Sequence, residues 1–192
     1  MPQIKDSGFE GILLIVANPV DILTTVAQKL TGFSESRVIG SGTVLDTARL
    51  KYLLGEHLGV DSRSIHAFIV GEHGDSEIVA WSSANVSGVP INDFCELRGH
   101  FTHRESMLEI ADSVKNSAYE IIDKKQATYY GIAMAVKRIC EAIIRDEESI
   151  LPVSVTLHGD FGIDGVSLSM PAVVGRTGVS TLVPIKLSVD EL

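Results

Sequence analysis

The apolar residues of this chain recur with two different spacings, and the helical spacing dominates the middle of the sequence. In segment 104–125 the apolar positions lie three or four residues apart, as on one face of a helix. These positions are Met107, Leu108, Ile110, Ala111, Val114, Ala118, Ile121 and Ile122. The same spacing predicts further helices over 128–146 and 19–31.

Shorter apolar runs lie between and after these helices, and they predict strands. Residues 12–17 are apolar throughout, which is typical of a strand buried on both faces of a parallel sheet. Residues 65–70 form a second run of this kind, and a brief extended piece is predicted over 38–40. Runs separated by Gly-containing turns predict further strands, mostly antiparallel, over 78–87, 150–157, 166–170 and 179–185. The order of elements therefore predicts a mixed α/β to α+β protein.

Composition and charge narrow the classes of function. The chain has 192 residues, enough for one domain with a sizeable core or for part of a two-domain enzyme. A net charge of −9 argues against a nucleic-acid partner, and no apolar run is long enough to span a bilayer. The first residues lack the apolar core of a signal peptide. Cys95 and Cys140 have neither metal nor redox spacing, so we expect free thiols in a cytoplasmic protein.

One histidine lies in a loop where open α/β folds place their ligands. Gly71-Glu72-His73-Gly74-Asp75-Ser76 directly follows the predicted strand 65–70. The flanking glycines allow a sharp turn and close approach of a ligand to the His73 imidazole, which exchanges a proton near neutral pH. Because Gly, Asp and Ser are ordinary turn residues, the loop taken alone is more typical of a polar turn than of a functional site.

An acid and an arginine share one face of a helix upstream of this loop. Thr43 is a suitable N-cap for a helix that runs to Leu54, and Asp46 is placed to complete a capping box with it. Asp46 and Arg49 are three residues apart and so project from the same side. A carboxylate, a guanidinium and a histidine together suit the binding of a small carboxylate and the transfer of one proton. A helix cap and a solvated cation are the alternative interpretations.

Three motifs in register carry a resemblance to a known family. Ser-Gly-Thr-x-Leu-Asp-x-x-Arg begins at Ser41, and His73 follows 27 residues after Asp46. Asn18-Pro19-Val20-Asp21 begins 28 residues before Asp46. With these motifs the whole chain resembles the L-lactate dehydrogenases of the lactate/malate dehydrogenase family. The resemblance implies the end of a Rossmann domain followed by that family's α+β domain with its antiparallel sheet.

The resemblance implies hydride transfer between the nicotinamide of NAD and C2 of a 2-oxo or 2-hydroxy acid. His73 would be the general acid in pyruvate reduction and the general base in lactate oxidation. Asp46 would hold the imidazole and favour its protonated form, and Arg49 would bind the substrate carboxylate through two parallel hydrogen bonds.

Three further residues match the family's substrate and cofactor pocket. Asn18 corresponds to the asparagine that lies near the nicotinamide and the substrate. Thr128 and Ile132 match the helix that lines the pocket, Thr128 on the substrate side and Ile132 on the cofactor side. An Asn-Pro turn and plain helical core explain the same residues structurally.

The resemblance also implies where this chain stands in the longer family pattern. Residues 1–18 are then a remnant of the NAD-binding Rossmann domain, and residues 19–192 are the catalytic domain, truncated before its final helix. Ser188 and Glu191 form a capping-box pattern at the point where that helix begins. The glycine-rich dinucleotide loop and the mobile lid, with its second arginine, belong to the part outside this chain, so we expect the 192 residues alone to be inactive.

Lys51 and His66 match positions at which some bacterial members bind the effector fructose 1,6-bisphosphate at a subunit interface. Lysine stands here where arginine is usual, which replaces a bidentate phosphate contact by a point charge. A surface lysine and a half-buried histidine are the structural alternative.

Other interpretations of the chain remain open. A malate or L-2-hydroxyacid dehydrogenase shares the fold, although Ser41-Gly42-Thr43 and Gly71-Glu72-His73 look like the lactate members. A silent fragment that only folds and self-associates is a second alternative, because the intact family is tetrameric in bacteria. The six histidines show no convincing metal-ligand spacing, so no metal is predicted.

Overall fold

A computed structural model describes residues 1–192 and contains six α-helices. The helices predicted over 19–31, 104–125 and 128–146, and the one beginning after Thr43, are confirmed to within a few residues. The short helix α4 was not predicted, because its seven residues bury only Ile91 and Cys95 and give too little periodicity. The helices are α1 (Pro2–Asp6), α2 (Val20–Thr31), α3 (Val44–Leu58), α4 (Ile91–Leu97), α5 (His103–Lys125) and α6 (Tyr130–Arg145).

Ten strands form one large and two small sheets. The large sheet has the order β1-β2-β8-β9-β10, in which β1 and β2 are parallel and every other pair is antiparallel. The mixed α/β to α+β fold and the C-terminal antiparallel sheet are therefore confirmed. The strands are β1 (Leu13–Ile15), β2 (Val38–Gly40), β3 (Ile65–His66), β4 (Ile69–Val70), β5 (Ile78–Val79), β6 (Asn85–Val86), β7 (Val89–Pro90), β8 (Ser149–His158), β9 (Asp164–Gly175) and β10 (Gly178–Leu182).

The first predicted strand is shorter and more exposed than its apolar sequence indicated. Only Leu13–Ile15 pair with β2, and only Ile15 is buried, while Val16 is exposed. Strand β1 lies at the edge of the large sheet, with no neighbour on its outer side. The prediction of burial on both faces is therefore wrong for these residues.

Two further predicted strands are each divided in the structure. Residues 65–70 split into β3, which pairs with β6, and β4, which pairs with β5, so the two halves belong to different sheets. His66 is consequently exposed although Ile65 is fully buried. Residues 78–87 are interrupted by a 3-10 turn at Trp81–Ser83. The chain changes pairing partner within each run, and apolar periodicity does not encode that change.

Helix α3 connects two hydrophobic cores and thereby fixes the position of Asp46. Val44, in its first turn, packs in the core beneath the large sheet, together with Ile39 and Val153. Leu50 and Leu54, in the later turns, pack in a second core against the small sheets. Asp46 lies between these two groups and is only 3% exposed. None of the helices has the length and apolar character needed to cross a membrane.

The C-terminal residues form the contacts that their sequence predicted. The Ser188 N–H donates to Glu191 Oε2 at 2.7 Å, and the Glu191 N–H donates to Ser188 Oγ at 3.3 Å. This reciprocal pair is the capping box expected from the spacing. The division of the chain into domains at residue 18 stays a prediction.

Gly42 offers a direct test of the packing next to α3. Its φ is +53°, and a Cβ at this position would lie 2.7 Å from Pro152 O and from Ser154 N on β8. We predict that Gly42→Ala lowers the free energy of unfolding by about 3 kcal/mol, because left-handed strain adds to a clash with backbone atoms that cannot rotate away.

Gly88→Ala is the matched control, since Gly88 has a φ of +88° but no atom lies within 4 Å of the place that its Cβ would take. It should lose only about 1 kcal/mol from backbone strain. Urea unfolding followed by circular dichroism measures both losses, and equal losses in the two variants would contradict the close packing at Gly42.

Candidate active site

The start of α3 is tied to strand β4, which leads into the histidine loop. The Thr43 hydroxyl donates to Ile69 O at 2.5 Å, and the Ile69 N–H donates to Thr47 Oγ1 at 2.9 Å. The predicted capping box between Thr43 and Asp46 is wrong, because neither side chain caps the helix. Thr43 instead binds the main chain of β4, and Asp46 binds the side chain of His73.

Asp46 and His73 form the closest charged contact of the site. His73 Nδ1 lies 2.7 Å from Asp46 Oδ2, and the Asp46 side chain is 5% exposed. This hydrogen bond, more than any other contact, raises the pKa of His73 above its ordinary value, while burial opposes the rise and the Asp46 charge adds to it. An ionised Asp46 accepts the proton on Nδ1, which leaves Nε2 as the atom available to a ligand.

Arg49 contacts the second oxygen of the same carboxylate. Its Nη1 lies 3.4 Å from Asp46 Oδ1, and its side chain is 18% exposed. Asp46 therefore bridges the imidazole and the guanidinium through separate oxygens. The structure thus brings together the three residues that the sequence motifs selected, from two segments of the chain.

A cavity of about 310 Å³ joins these residues to the others that the sequence selected. Asn18, Arg49, His73, Thr128 and Ile132 all line it. Its apolar walls include four side chains that sequence reasoning did not assign to a site: Val16, Leu45, Ala118 and Ile122. Ala118 and Ile122 belong to the apolar stripe of α5, so their spacing indicated core and gave no separate signal for a pocket.

A larger cleft of about 640 Å³ lies between α2 and β9. Its charged lining residues are all acidic, namely Asp21, Glu72 and Glu191, and it contains neither a histidine nor an arginine. Size alone would select this cleft, but the groups able to bind a carboxylate and move a proton converge in the smaller cavity.

Asp21 is the buried contact of His73 that the sequence analysis missed. The His73 main-chain N–H donates to Asp21 Oδ2 at 2.8 Å, and the Ser154 hydroxyl donates to Oδ1 at 2.5 Å. Burial, as the largest effect, raises the pKa of Asp21 above its ordinary value. Asp21 belongs to the quoted Asn18-Pro19-Val20-Asp21 motif, but an acid in the first turn of a helix is also an ordinary helix feature.

Glu77 adds another carboxyl group to the site. Donor atoms of Asp46, His73 and Glu77 lie within 4.8 Å of one another, so these residues are the candidates for holding a metal ion. Asp46 already accepts a hydrogen bond from His73 and contacts Arg49, which favours a charge cluster over a metal centre. Burial and the neighbouring Asp46 charge raise the pKa of Glu77 to about 7.

The two residues selected for an effector lie outside the cavity of His73. Lys51 is half-buried on α3, and burial lowers its pKa. His66 is exposed on β3, and no hydrogen bond or ion pair joins it to Lys51. Their role in binding a sugar bisphosphate stays a prediction.

Fold and site together define a class: a mixed α/β to α+β protein whose cavity combines an acid–histidine pair with an arginine. Sequence comparison identifies the family within this class. Residues 1–40 match the NAD binding domain of lactate/malate dehydrogenase, and residues 43–192 match its alpha/beta C-terminal domain. The chain belongs to the lactate/malate dehydrogenase family.

Curated relatives and solved structures agree with this assignment. The chain is 50% identical over 191 residues to L-lactate dehydrogenase 1 of Clostridium acetobutylicum, covering 100% of this chain and 61% of the relative. It is 52% identical over 181 residues to L-lactate dehydrogenase of Acetivibrio thermocellus, covering 94% and 57%. The chain therefore spans about 60% of the length of these relatives.

Solved structures show the same fold. The minor L-lactate dehydrogenase of Enterococcus mundtii in its ligands-bound form superposes with a TM-score of 0.92 at 43% identity, covering 99% of this chain and 62% of that one. A lactate dehydrogenase from a deep-sea metagenome library, MGS-M5, gives a TM-score of 0.93 at 49% identity, covering 98% and 60%.

Glu77 makes the stability of the protein depend on pH in a defined direction. Its pKa rises from an ordinary value of 4.5 to about 7 on folding, so the folded state binds this proton more tightly than the unfolded state. The stabilisation is complete below pH 4.5 and is lost as the pH rises through about 7. The glutamine side chain in Glu77→Gln cannot ionise, so the stability of this variant does not fall with the titration of residue 77.

We therefore predict that Glu77→Gln gains stability relative to the unaltered protein by about 1 to 2 kcal/mol between pH 5 and pH 8, after allowance for solvent screening. Free energies of unfolding at both pH values measure this gain. Glu72→Gln, on the same loop but exposed, is the control. A stability difference for Glu77→Gln that is the same at both pH values would refute the raised pKa of this carboxyl group.

Proposed function

We propose that the protein containing this chain is an NAD-dependent L-lactate dehydrogenase, which interconverts pyruvate and (S)-lactate. The observation that carries the proposal is the 2.7 Å contact between His73 and Asp46 at a cavity that Arg49 also lines. The 50% and 52% identical relatives, both named L-lactate dehydrogenase, support the choice of reaction.

The residues at the cavity suit the cofactor that this reaction needs. NAD supplies the hydride acceptor or donor at the C4 position of its nicotinamide. Asn18 offers an amide beside the apolar Val16 and Ile132, a combination that fits a flat ring bearing a carboxamide group. Asn18 and Ile132 would hold that ring against the substrate.

His73 is the proton donor and acceptor in this proposal. In the direction of pyruvate reduction, protonated His73 gives the proton on Nε2 to the carbonyl oxygen; in lactate oxidation, neutral Nε2 takes the hydroxyl proton. Asp46 keeps the other proton on Nδ1 and stabilises the imidazolium that forms. The raised pKa of His73 favours the form that reduction consumes.

Arg49 is the anchor for the substrate carboxylate. A planar guanidinium binds a carboxylate with two parallel hydrogen bonds, and Arg49 has donors to spare because Asp46 engages only Nη1. Thr128 lines the same cavity and would contact the bound acid. The anchor orients the carbonyl carbon so that its oxygen faces His73.

A malate or branched 2-hydroxyacid dehydrogenase is the alternative within the family. Assays of the full-length protein with NADH and pyruvate, oxaloacetate or 2-oxoisocaproate distinguish them. We expect the highest kcat/KM for pyruvate. A preference for oxaloacetate or 2-oxoisocaproate would move the assignment to the corresponding alternative, and no activity with any of them would favour a silent, self-associating protein.

Other properties of the intact enzyme belong to the same proposal. We expect a homotetramer that works in the cytoplasm, in glycolysis and fermentation. We also expect the 192 residues alone to oxidise no NADH with pyruvate until the remaining dinucleotide-binding part is supplied.

Arg49→Lys tests the anchor in the full-length protein. A lysine ammonium cannot make the bidentate contact, so we predict a fall in kcat/KM for pyruvate of about 100-fold, most of it through a higher KM. Arg63→Lys is the control, because Arg63 pairs with Asp61 in an exposed turn away from the cavity. An unchanged KM for pyruvate in Arg49→Lys would contradict the assigned role.

We also propose that Lys51 and His66 bind fructose 1,6-bisphosphate as an effector. A pyruvate saturation curve measured with and without the sugar bisphosphate tests this proposal. We predict that the sugar bisphosphate lowers the pyruvate concentration needed for half-maximal rate. Lys51→Gln and His66→Gln should each weaken that response, because each removes a contact available to a phosphate. A curve that does not move on adding the effector would remove this proposal while leaving the proposed reaction intact.

A further inference from the structure

Asp21 is a buried acid without a basic side chain as its partner. It lies in the first turn of α2 and is 6% exposed, and no lysine or arginine forms an ion pair with it. Its two oxygens accept separate hydrogen bonds, Oδ2 from the His73 main-chain N–H at 2.8 Å and Oδ1 from the Ser154 hydroxyl at 2.5 Å. Burying a carboxylate in this way is unfavourable unless its hydrogen bonds are satisfied.

The hydrogen bond to Asp21 Oδ2 matters because its donor is the main-chain N–H of His73. His73 lies in a loop with glycines on both sides, and Gly71 has a φ of +91°, so the backbone around it has conformational freedom that other residues would not allow. Two carboxylates from two helices hold this one residue. Asp46 on α3 holds the imidazole, and Asp21 on α2 holds the main chain.

Neighbouring contacts hold the ends of the loop but leave its centre to Asp21. Gly71 and Ser169 exchange main-chain hydrogen bonds at 2.9 and 2.8 Å. The Tyr119 hydroxyl donates to Asp75 at 2.9 Å, and Lys115 also donates to the Asp75 carbonyl. Between these two anchors, the contact with Asp21 is the one that fixes the His73 backbone.

We propose that Asp21 is a positioning residue for His73. Its carboxylate holds the His73 main chain so that Nδ1 stays within hydrogen-bond distance of Asp46, and its negative charge adds to the field that favours the imidazolium. The expected effect on catalysis rests on the proposed function, whereas the expected effect on the position of His73 does not.

The charged groups around His73 determine how strongly Asp21 affects its proton. Asp46 and Glu77 also favour protonated His73, and Asp21 makes the smallest of these contributions. Arg49 and Lys115 face Glu77, and Glu72 faces Asp21. Removing the Asp21 charge alone should therefore lower the pKa of His73 slightly, whereas losing its position should also break the contact with Asp46.

Two substitutions separate the position of Asp21 from its charge. In Asp21→Asn the amide oxygen can still accept from the His73 N–H, and the amide nitrogen can donate to Ser154 Oγ, which is able to accept. This variant keeps the geometry and removes the charge. Asp21→Ala removes both, and Ser154→Ala is the control that removes the contact with β8 but leaves the one with His73.

In the full-length enzyme we expect Asp21→Asn to keep kcat within about threefold and to move the alkaline fall of kcat/KM for pyruvate down by about a few tenths of a pH unit. Asp21→Ala should lower kcat about 30-fold or more, because a displaced general acid reacts poorly. Its KM for pyruvate should change little, since Arg49 is untouched. Ser154→Ala should keep both the kcat and the pH profile.

A second readout is independent of the reaction. Isotope-labelled histidine NMR of the same full-length variants reports the Nδ1 proton and the pKa of His73. We expect Asp21→Ala to lose the strongly hydrogen-bonded Nδ1 proton signal and Asp21→Asn to keep it. If Asp21→Ala does not fold, a lowered His73 pKa and a retained Nδ1 signal in Asp21→Asn carry the test.

The outcomes distinguish the two proposals. Absence of dehydrogenase activity in the unaltered full-length protein would refute the proposed function, while the NMR comparison would still decide the role of Asp21. An unchanged Nδ1 signal in Asp21→Ala, or an unchanged His73 pKa in Asp21→Asn, would overturn the inference whatever the activity.

Discussion

The hydrogen bond between Asp46 and His73 is the interaction on which the rest of the site depends. At 2.7 Å it joins a nearly fully buried carboxylate to an imidazole that is one quarter exposed. In such a pair the carboxylate fixes which nitrogen carries the proton, orients the ring and makes the charged form easier to reach. Nδ1 of His73 is thereby bound to the protein, and Nε2 remains available for proton transfer.

The fold supplies this pair by connecting elements that are distant in sequence. Helix α3 packs into both hydrophobic cores, so Asp46 cannot shift without disturbing one of them. Thr43 and Thr47 bind the main chain of Ile69, which leads directly into the histidine loop. Asp21 reaches the same loop from α2. Thus three separate segments determine where one imidazole lies, and the cavity with Arg49 forms beside it.

The sequence predicted those features that depend on local chemistry. Helical periodicity located α2, α5 and α6, and the motif spacing selected Asp46, Arg49 and His73, which the structure brings together. Prediction from the sequence failed where contacts between residues distant along the chain decide the structure. The run 65–70 leaves one sheet after His66 and joins another at Ile69. The Thr43 hydroxyl donates to Ile69 O instead of capping its own helix. The contact of Asp21 with His73 spans 52 residues, and the raised pKa of Glu77 follows from burial, which no local pattern reveals.

The most direct test of the central claim is the pKa of His73 in the full-length protein, measured by isotope-labelled histidine NMR with and without Asp46→Asn. Asparagine keeps the shape of the side chain but removes the charge that stabilises the imidazolium. We predict a His73 pKa above the ordinary histidine value in the unaltered protein and a lower His73 pKa in the variant, because the hydrogen bond to the charged carboxylate is lost. The same pKa in both proteins would contradict it, because His73 would then not depend on Asp46.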